Sequence, residues 1–130
     1  MKLGITGTRE GMTAKQYAEV EEILSEKFGE FTELHHGDCS GVDVQVATIA
    51  QKIGYRTVCH PPESNYLRAF HNSDELREPA GYLKRDRAIV DETDLLLVVP
   101  LTPVRKPKSG TWYTHNYAKR QSKPVILISP

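Results

Sequence analysis

Asp94-Leu-Leu-Leu-Val-Val99 is a continuous apolar run of the kind that parallel sheets bury on both faces. It is far shorter than the roughly 18 apolar residues of a membrane span, so it reads as a central strand. Shorter apolar runs alternate with amphipathic stretches on either side of it. That alternation is what strands joined by crossover helices look like in sequence. Lys2 to Thr6 reads as the first strand. Thr13 then caps a helix carrying Tyr17, Val20, Ile23, Leu24 and Phe28 at helical spacing, which Gly29 ends. Phe31 to His35 reads as a second strand. Val42, Val46, Ile49, Ala50 and Ile53 make the apolar stripe of a second helix closed by Gly54, and Tyr55 to Cys59 makes a third strand. Gly81 to Asp91 and Thr111 to Gln121 supply two more helices, and Val125 to Ile128 a last buried strand. The expectation is a single α/β domain over residues 1–130, a Rossmann-like three-layer sandwich with a mainly parallel sheet of about five strands. Residues 61–80 mix Pro, Ser, Asn, Glu and Arg without period and read as an irregular excursion.

In such a fold every strand's carboxyl end opens into a loop on one common edge. The chemistry-bearing motifs fall on these loops. After the first strand comes Thr6-Gly-Thr-Arg9, where Gly7 permits a tight turn, Thr8 offers a hydroxyl and Arg9 a planar fork suited to phosphate. After the second comes His35-His-Gly-Asp-Cys-Ser-Gly-Val-Asp43. Gly37 and Gly41 let backbone amides approach a ligand, Ser40 can cap the helix or bond a phosphate oxygen, and Asp38 and Asp43 are candidate carboxylates. As ordinary structure, Asp38 and Ser40 cap the helix and Asp43 holds a loop. Ser109-Gly110-Thr111 stands before the last helix, where backbone donors can cradle a second phosphate or a sugar. Arg85, in a dense charge set before the central strand, can face the site and neutralise phosphate.

Composition limits the partners. Seventeen Lys and Arg balance seventeen Asp and Glu, so no global field draws the chain to nucleic acid or an anionic membrane, and DNA is argued against as a partner. No membrane association is expected. His35, His36, Cys39, Cys59 and His60 have no recognised paired metal-ligand spacing, so neither metal nor cofactor is expected. Two cysteines and no charged amino-terminal segment leading into an apolar run give the reading of a reduced, cytoplasmic protein.

Taken in order, Gly7-Thr-Arg9, Gly37-Asp-Cys-Ser-Gly-Val-Asp43, Arg85-Asp86 and Gly110-Thr111 resemble the SLOG superfamily of Rossmann-like nucleotide-ligand proteins. That group includes the LOG phosphoribohydrolases and the DNA-processing protein Smf/DprA, and the likeness is greatest to its small stand-alone YspA/YpsA-like members. The resemblance implies a ligand built on a nucleotide or ribose phosphate, held by the glycine turns and Arg9, and a homodimer, which relatives commonly form. Catalytic LOG relatives cut an N-glycosidic bond with an Arg and with a Glu of a Gly-Gly-x-Gly-Thr-x-x-Glu motif. Here that stretch is Lys108-Ser-Gly-Thr-Trp-Tyr-Thr114, with Thr114 at the Glu position. The leading expectation is therefore a sensor or binding module for a nucleotide-derived small molecule. The alternatives are an N-glycosidic hydrolase or transferase on nucleoside monophosphates, using Asp38, Asp43 and Arg85, or a DNA-associated protein.

Overall fold

A computed structural model describes all of residues 1–130. The elements are β1 (Lys2–Gly7), α1 (Ala14–Lys27), β2 (Glu33–His36), α2 (Val42–Ile53), β3 (Arg56–Cys59), β4 (Glu75–Leu76), α3 (Tyr82–Glu92), β5 (Leu95–Val99), α4 (Gly110–Arg120) and β6 (Val125–Leu127). They build one sheet in the order β4-β3-β2-β1-β5-β6 with every pairing parallel. The Rossmann-like sandwich expected from the alternation is the observed architecture.

The strand count is six, not five. The additional strand, β4, pairs Glu75 with Val58 and Leu76 with Cys59 inside the segment read as irregular. Two residues are too few to carry a period-two signal. What seats β4 is a preceding side chain: the Asp74 carboxylate accepts from Thr57 N at 2.8 Å and from Thr57 Oγ1 at 3.1 Å. Excursion residues also cover the end of β2, Ser40 N donating to Leu67 O at 2.9 Å and Ala69 N to Asp38 O at 2.7 Å.

Alternation along the strands separates the two cores. Leu95, Leu97 and Val99 face α1 and α2 together with Leu3, Ile5 and Leu34, while Leu96 and Val98 face α3 and α4 beside Ile89, Val90 and Ala118. β5 is buried along its whole length, as its unbroken apolar run requires. At the first helix Thr13 forms a capping box: its Oγ1 accepts from Gln16 N and Gln16 Oε1 accepts from Thr13 N, each at 3.0 Å. The Gln16 amide then donates to Pro100 O at 2.9 Å and Ile128 O at 3.0 Å, tying the start of α1 to the ends of β5 and β6.

No helix is long and apolar enough to cross a membrane.

Candidate functional site

The chain winds from β1 toward β4 on one side and from β5 toward β6 on the other. The strand order therefore reverses between β1 and β5, where loops leaving the two strands diverge and open a crevice. A cavity of about 380 Å³ lies there, within the ~300–1,000 Å³ of small-molecule sites. Its walls are the turn Thr6 to Glu10, the first residues of α3, the loop after β5 and the start of α4, with Gly37, Cys39 and Asp43 at the back.

The structure brings Gly7, Thr8, Arg9, Gly37, Asp43, Arg85, Ser109, Gly110 and Thr111 to this one cavity. Ser109 Oγ caps α4 by accepting from Trp112 N at 3.3 Å, so the helix begins at the cavity wall with its positive end inward. Arg9 is exposed, its guanidinium carbon 5.7 Å from the centre of the Tyr82 ring. Lys106 and Lys108 approach from the loop after β5.

Asp38, Ser40 and Gly41 do not line the cavity, which corrects their expected place. Asp38 is fully buried. Its carboxylate accepts from Arg68 Nε at 2.6 Å and from His71 N at 2.8 Å, so it organises the 61–80 segment. Ser40 makes no side-chain cap. Gly41, at φ 87°, lies where a side chain would strike the carbonyls of Thr8 and Arg9. The close approach that glycine permits is therefore between two loops, and Val42 N spends its hydrogen bond on Thr8 O at 3.0 Å. The start of α2 is used internally, whereas that of α4 faces the cavity.

Arg85 is 5% exposed and its fork is engaged by the protein. Nε donates to Asp86 at 2.7 Å, Nη1 to the carbonyls of Gly37 and, at 3.3 Å, His60, and Nη2 to Cys39 Sγ at 3.7 Å. It joins α3 to the ends of β2 and β3 and places positive charge between two acids. Burial pushes the Asp43 carboxyl up to about 6 against the pull of Arg85 and of the Cys39 amide, which it accepts at 3.2 Å. Burial raises Asp86 too, opposed by Arg85 and by the Thr114 hydroxyl. Asp86, which the sequence offers only as the neighbour of Arg85 and without a role of its own, also lines the cavity. It stands next to Thr114, so a carboxylate from α3 occupies the neighbourhood in which α4 supplies none.

The two thiols are held toward their protonated forms. Burial and then Asp43 raise Cys39, and burial pushes Cys59 up to about 12. The excursion leaves the cavity uncovered, with Tyr66 and Phe70 exposed and Arg68 stacked 4.4 Å from the Phe70 ring centre.

No protein-family model matches the sequence, and no curated protein matches it. Solved structures do. The molybdenum cofactor binding protein of Rippkaea orientalis superposes with a TM-score of 0.76 at 20% identity, over 99% of this chain and 76% of that one. The molybdenum cofactor carrier protein of Chlamydomonas reinhardtii gives 0.73 at 20% identity, over 99% and 77%. DNA processing protein A of Helicobacter pylori gives 0.68 at 19% identity, over 98% and 64%, so this chain spans just under two thirds of that protein. The fold that the SLOG resemblance implied is the fold these proteins share with this chain. The Helicobacter protein is described by its single-stranded DNA binding mode, which corrects the argument against DNA. Balanced net charge does not bar a fold used for that purpose, because charge acts through its local distribution.

Proposed function

We propose that the chain is a binding module for a phosphate-bearing nucleotide or nucleotide-derived small molecule, taken up in the crevice between the ends of β1 and β5. One observation carries the reading: the Thr6 to Glu10 turn, the amino end of α4 and the cations Arg9, Lys106 and Lys108 meet on one cavity at the reversal of strand order. Helix-end amides and a guanidinium fork are donors matched to phosphate oxygens. Tyr82, also in the wall and exposed, offers a ring for a base. The similar proteins named above carry a molybdenum cofactor in two cases and single-stranded DNA in the third, so the fold accommodates anionic ligands of different shape.

The test is thermal unfolding of the full chain with AMP, ADP-ribose, inorganic phosphate and a short single-stranded oligodeoxynucleotide. A ligand at a hundred times its Kd stabilises by about 2.7 kcal/mol, a rise of several degrees. Arg9→Ala removes that rise and leaves the unliganded midpoint unchanged, since Arg9 is exposed. No shift with any of the four at millimolar concentration sinks the proposal. A shift only with the oligonucleotide assigns the crevice to DNA.

A second reading rests on Asp43 and Asp86. A buried carboxyl held near pH 6 beside a permanent cation is poised to donate a proton to a leaving base, and Asp86 adds a carboxylate near Thr114. Incubation with nucleoside monophosphates, followed by chromatography for free base, distinguishes a hydrolase from a pure binder.

A further inference from the structure

Behind the crevice, on the α3 side of the sheet, lies a cluster that the nucleotide reading does not use. Glu33 and His35 are two apart on β2 and point to the same face, and His60 follows β3 alongside. His35 Nδ1 is 2.8 Å from His60 Nε2 and 4.0 Å from Glu92 Oε1, while His35 Nε2 is 2.9 Å from Glu33 Oε1. The Glu33 carboxylate can only accept, so it fixes the proton of His35 on Nε2 and leaves a lone pair on Nδ1. His60 Nε2–H donates to that lone pair across 2.8 Å, and Glu92 Oε1 stands to one side, the three ligand atoms lying within 4.8 Å of one another, so an ion seated here spreads the two rings toward Glu92.

We infer that His35, His60 and Glu92 form a binding site for a divalent transition metal of the zinc type, with Glu33 as the carboxylate that orients His35. Two imidazole nitrogens and one carboxylate are a donor set zinc accepts, leaving a fourth position for water. A carboxylate on the far nitrogen of a ligating histidine is the usual orienting partner. Binding needs no net proton loss: the ion takes the place of the His60 Nε2 proton, which moves to Nδ1. Glu33 and Glu92 balance the ion's charge. Arg77, which pairs with Glu92 at 2.9 Å, retains its other carboxylate, Glu75, when the metal takes its share of Glu92. Access is present, because His60 and Glu92 line a separate cavity of about 290 Å³ and the Glu92 side chain is 37% exposed.

A second cluster, His36, Asp38 and Cys59, shows what a site of the wrong kind looks like. There Asp38 N, a backbone amide that cannot give way to an ion, donates to His36 Nδ1 at 3.0 Å, and all three residues are fully buried with no opening to solvent. The first cluster escapes a search by sequence spacing because its ligands come from neighbouring strands and the end of α3.

The experiment is titration of the chelator-treated full chain with Zn²⁺ by calorimetry and with Co²⁺ by absorption. The expected result is one ion per chain with the spectrum of tetrahedral Co²⁺, lost in His60→Ala and Glu92→Gln and retained in His115→Ala. Glu33→Gln, which leaves all three ligands in place, weakens binding roughly 10–100-fold. It also serves if His60→Ala does not fold, circular dichroism reporting which variants do. No binding of either metal, or binding that persists in folded Glu92→Gln and Glu33→Gln at unchanged affinity, overturns the inference. Nucleotide binding at the crevice is untouched by these outcomes.

Discussion

Arg85 donates a hydrogen bond to the carbonyl of Gly37, forty-eight residues earlier in the chain, and its guanidinium covers the α-carbon of that glycine. A Cβ built on Gly37 falls 2.5 Å from Arg85 Nη1 and 3.0 Å from Asp43 Oδ2. Gly37→Ala therefore must push the guanidinium from its seat. Overpacking of this sort costs about 1–3 kcal/mol. The expected outcome is a lowered melting temperature together with weaker nucleotide-induced stabilisation, because Asp43 and the cavity wall move with Arg85. An alanine variant with the wild-type midpoint would show that Arg85 is loosely held.

Asp38 separates structure from binding. Asp38→Asn keeps the shape and tolerates the left-handed backbone at φ 58°, but leaves Arg68, whose side chain is only 17% exposed, without its counter-charge. Breaking a buried pair costs about 3–5 kcal/mol. The denaturant midpoint is expected to fall accordingly, while the temperature rise given by a nucleotide persists. Loss of that rise at unchanged stability would return Asp38 to the binding site.

His36 sets acid sensitivity. Burial first, then His71 nearby, brings its pKa from 6.5 down to about 3. In that window the unfolded chain takes up a proton that the native state refuses, so stability is full above 6.5 and is lost as the pH falls toward 3. The loss is on the order of 5 kcal/mol. His36→Gln is expected to flatten this part of the pH–stability curve. Parallel curves for the two proteins would remove His36 from the account.

What the sequence made legible follows from how much signal each feature carries. β5 was readable because five consecutive apolar residues have no other use than burial on both faces, and α1 because Thr13, Gln16 and the apolar spacing agree. The turns Gly7-Thr-Arg9 and Ser109-Gly-Thr111 are legible because each follows a strand's carboxyl end, on the edge where parallel strands open their loops, whereas the reversal of strand order that makes a crevice there is not. β4 was not readable, since two residues hold no period and its seat depends on Asp74 reaching Thr57 seventeen residues back. Asp38, Ser40 and Gly41 were assigned to the crevice because glycine and small polar residues before a helix look the same whether they meet a ligand or another loop. Only the position of the Thr8 and Arg9 carbonyls decides that. Asp86 needed the rotation of α3 and its contact with Thr114, neither of which periodicity gives.

Asp43 is expected to titrate in the opposite sense to His36. Its native value of about 6 stands above the ordinary 3.8, so between those values the native state keeps a proton that the unfolded chain has lost. This contribution is fully present below 3.8 and disappears as the pH rises through 6, and its size is about 3 kcal/mol. The histidines mask it in the wild type, so the quantity to measure is the difference between Asp43→Asn and wild type. Asparagine is neutral throughout and can still accept from Cys39 N, so the variant gains on the wild type as the pH is taken from about 4.5 to about 7.5. A constant difference means that Asp43 is ionised in the native state over the whole range, with Arg85 outweighing burial. The same titration governs the hydrolytic reading, because an acid that has lost its proton cannot donate one. Any release of base from a nucleoside monophosphate should then decline above pH 6 and be abolished in Asp43→Asn, while the variant still binds the nucleotide through Arg9.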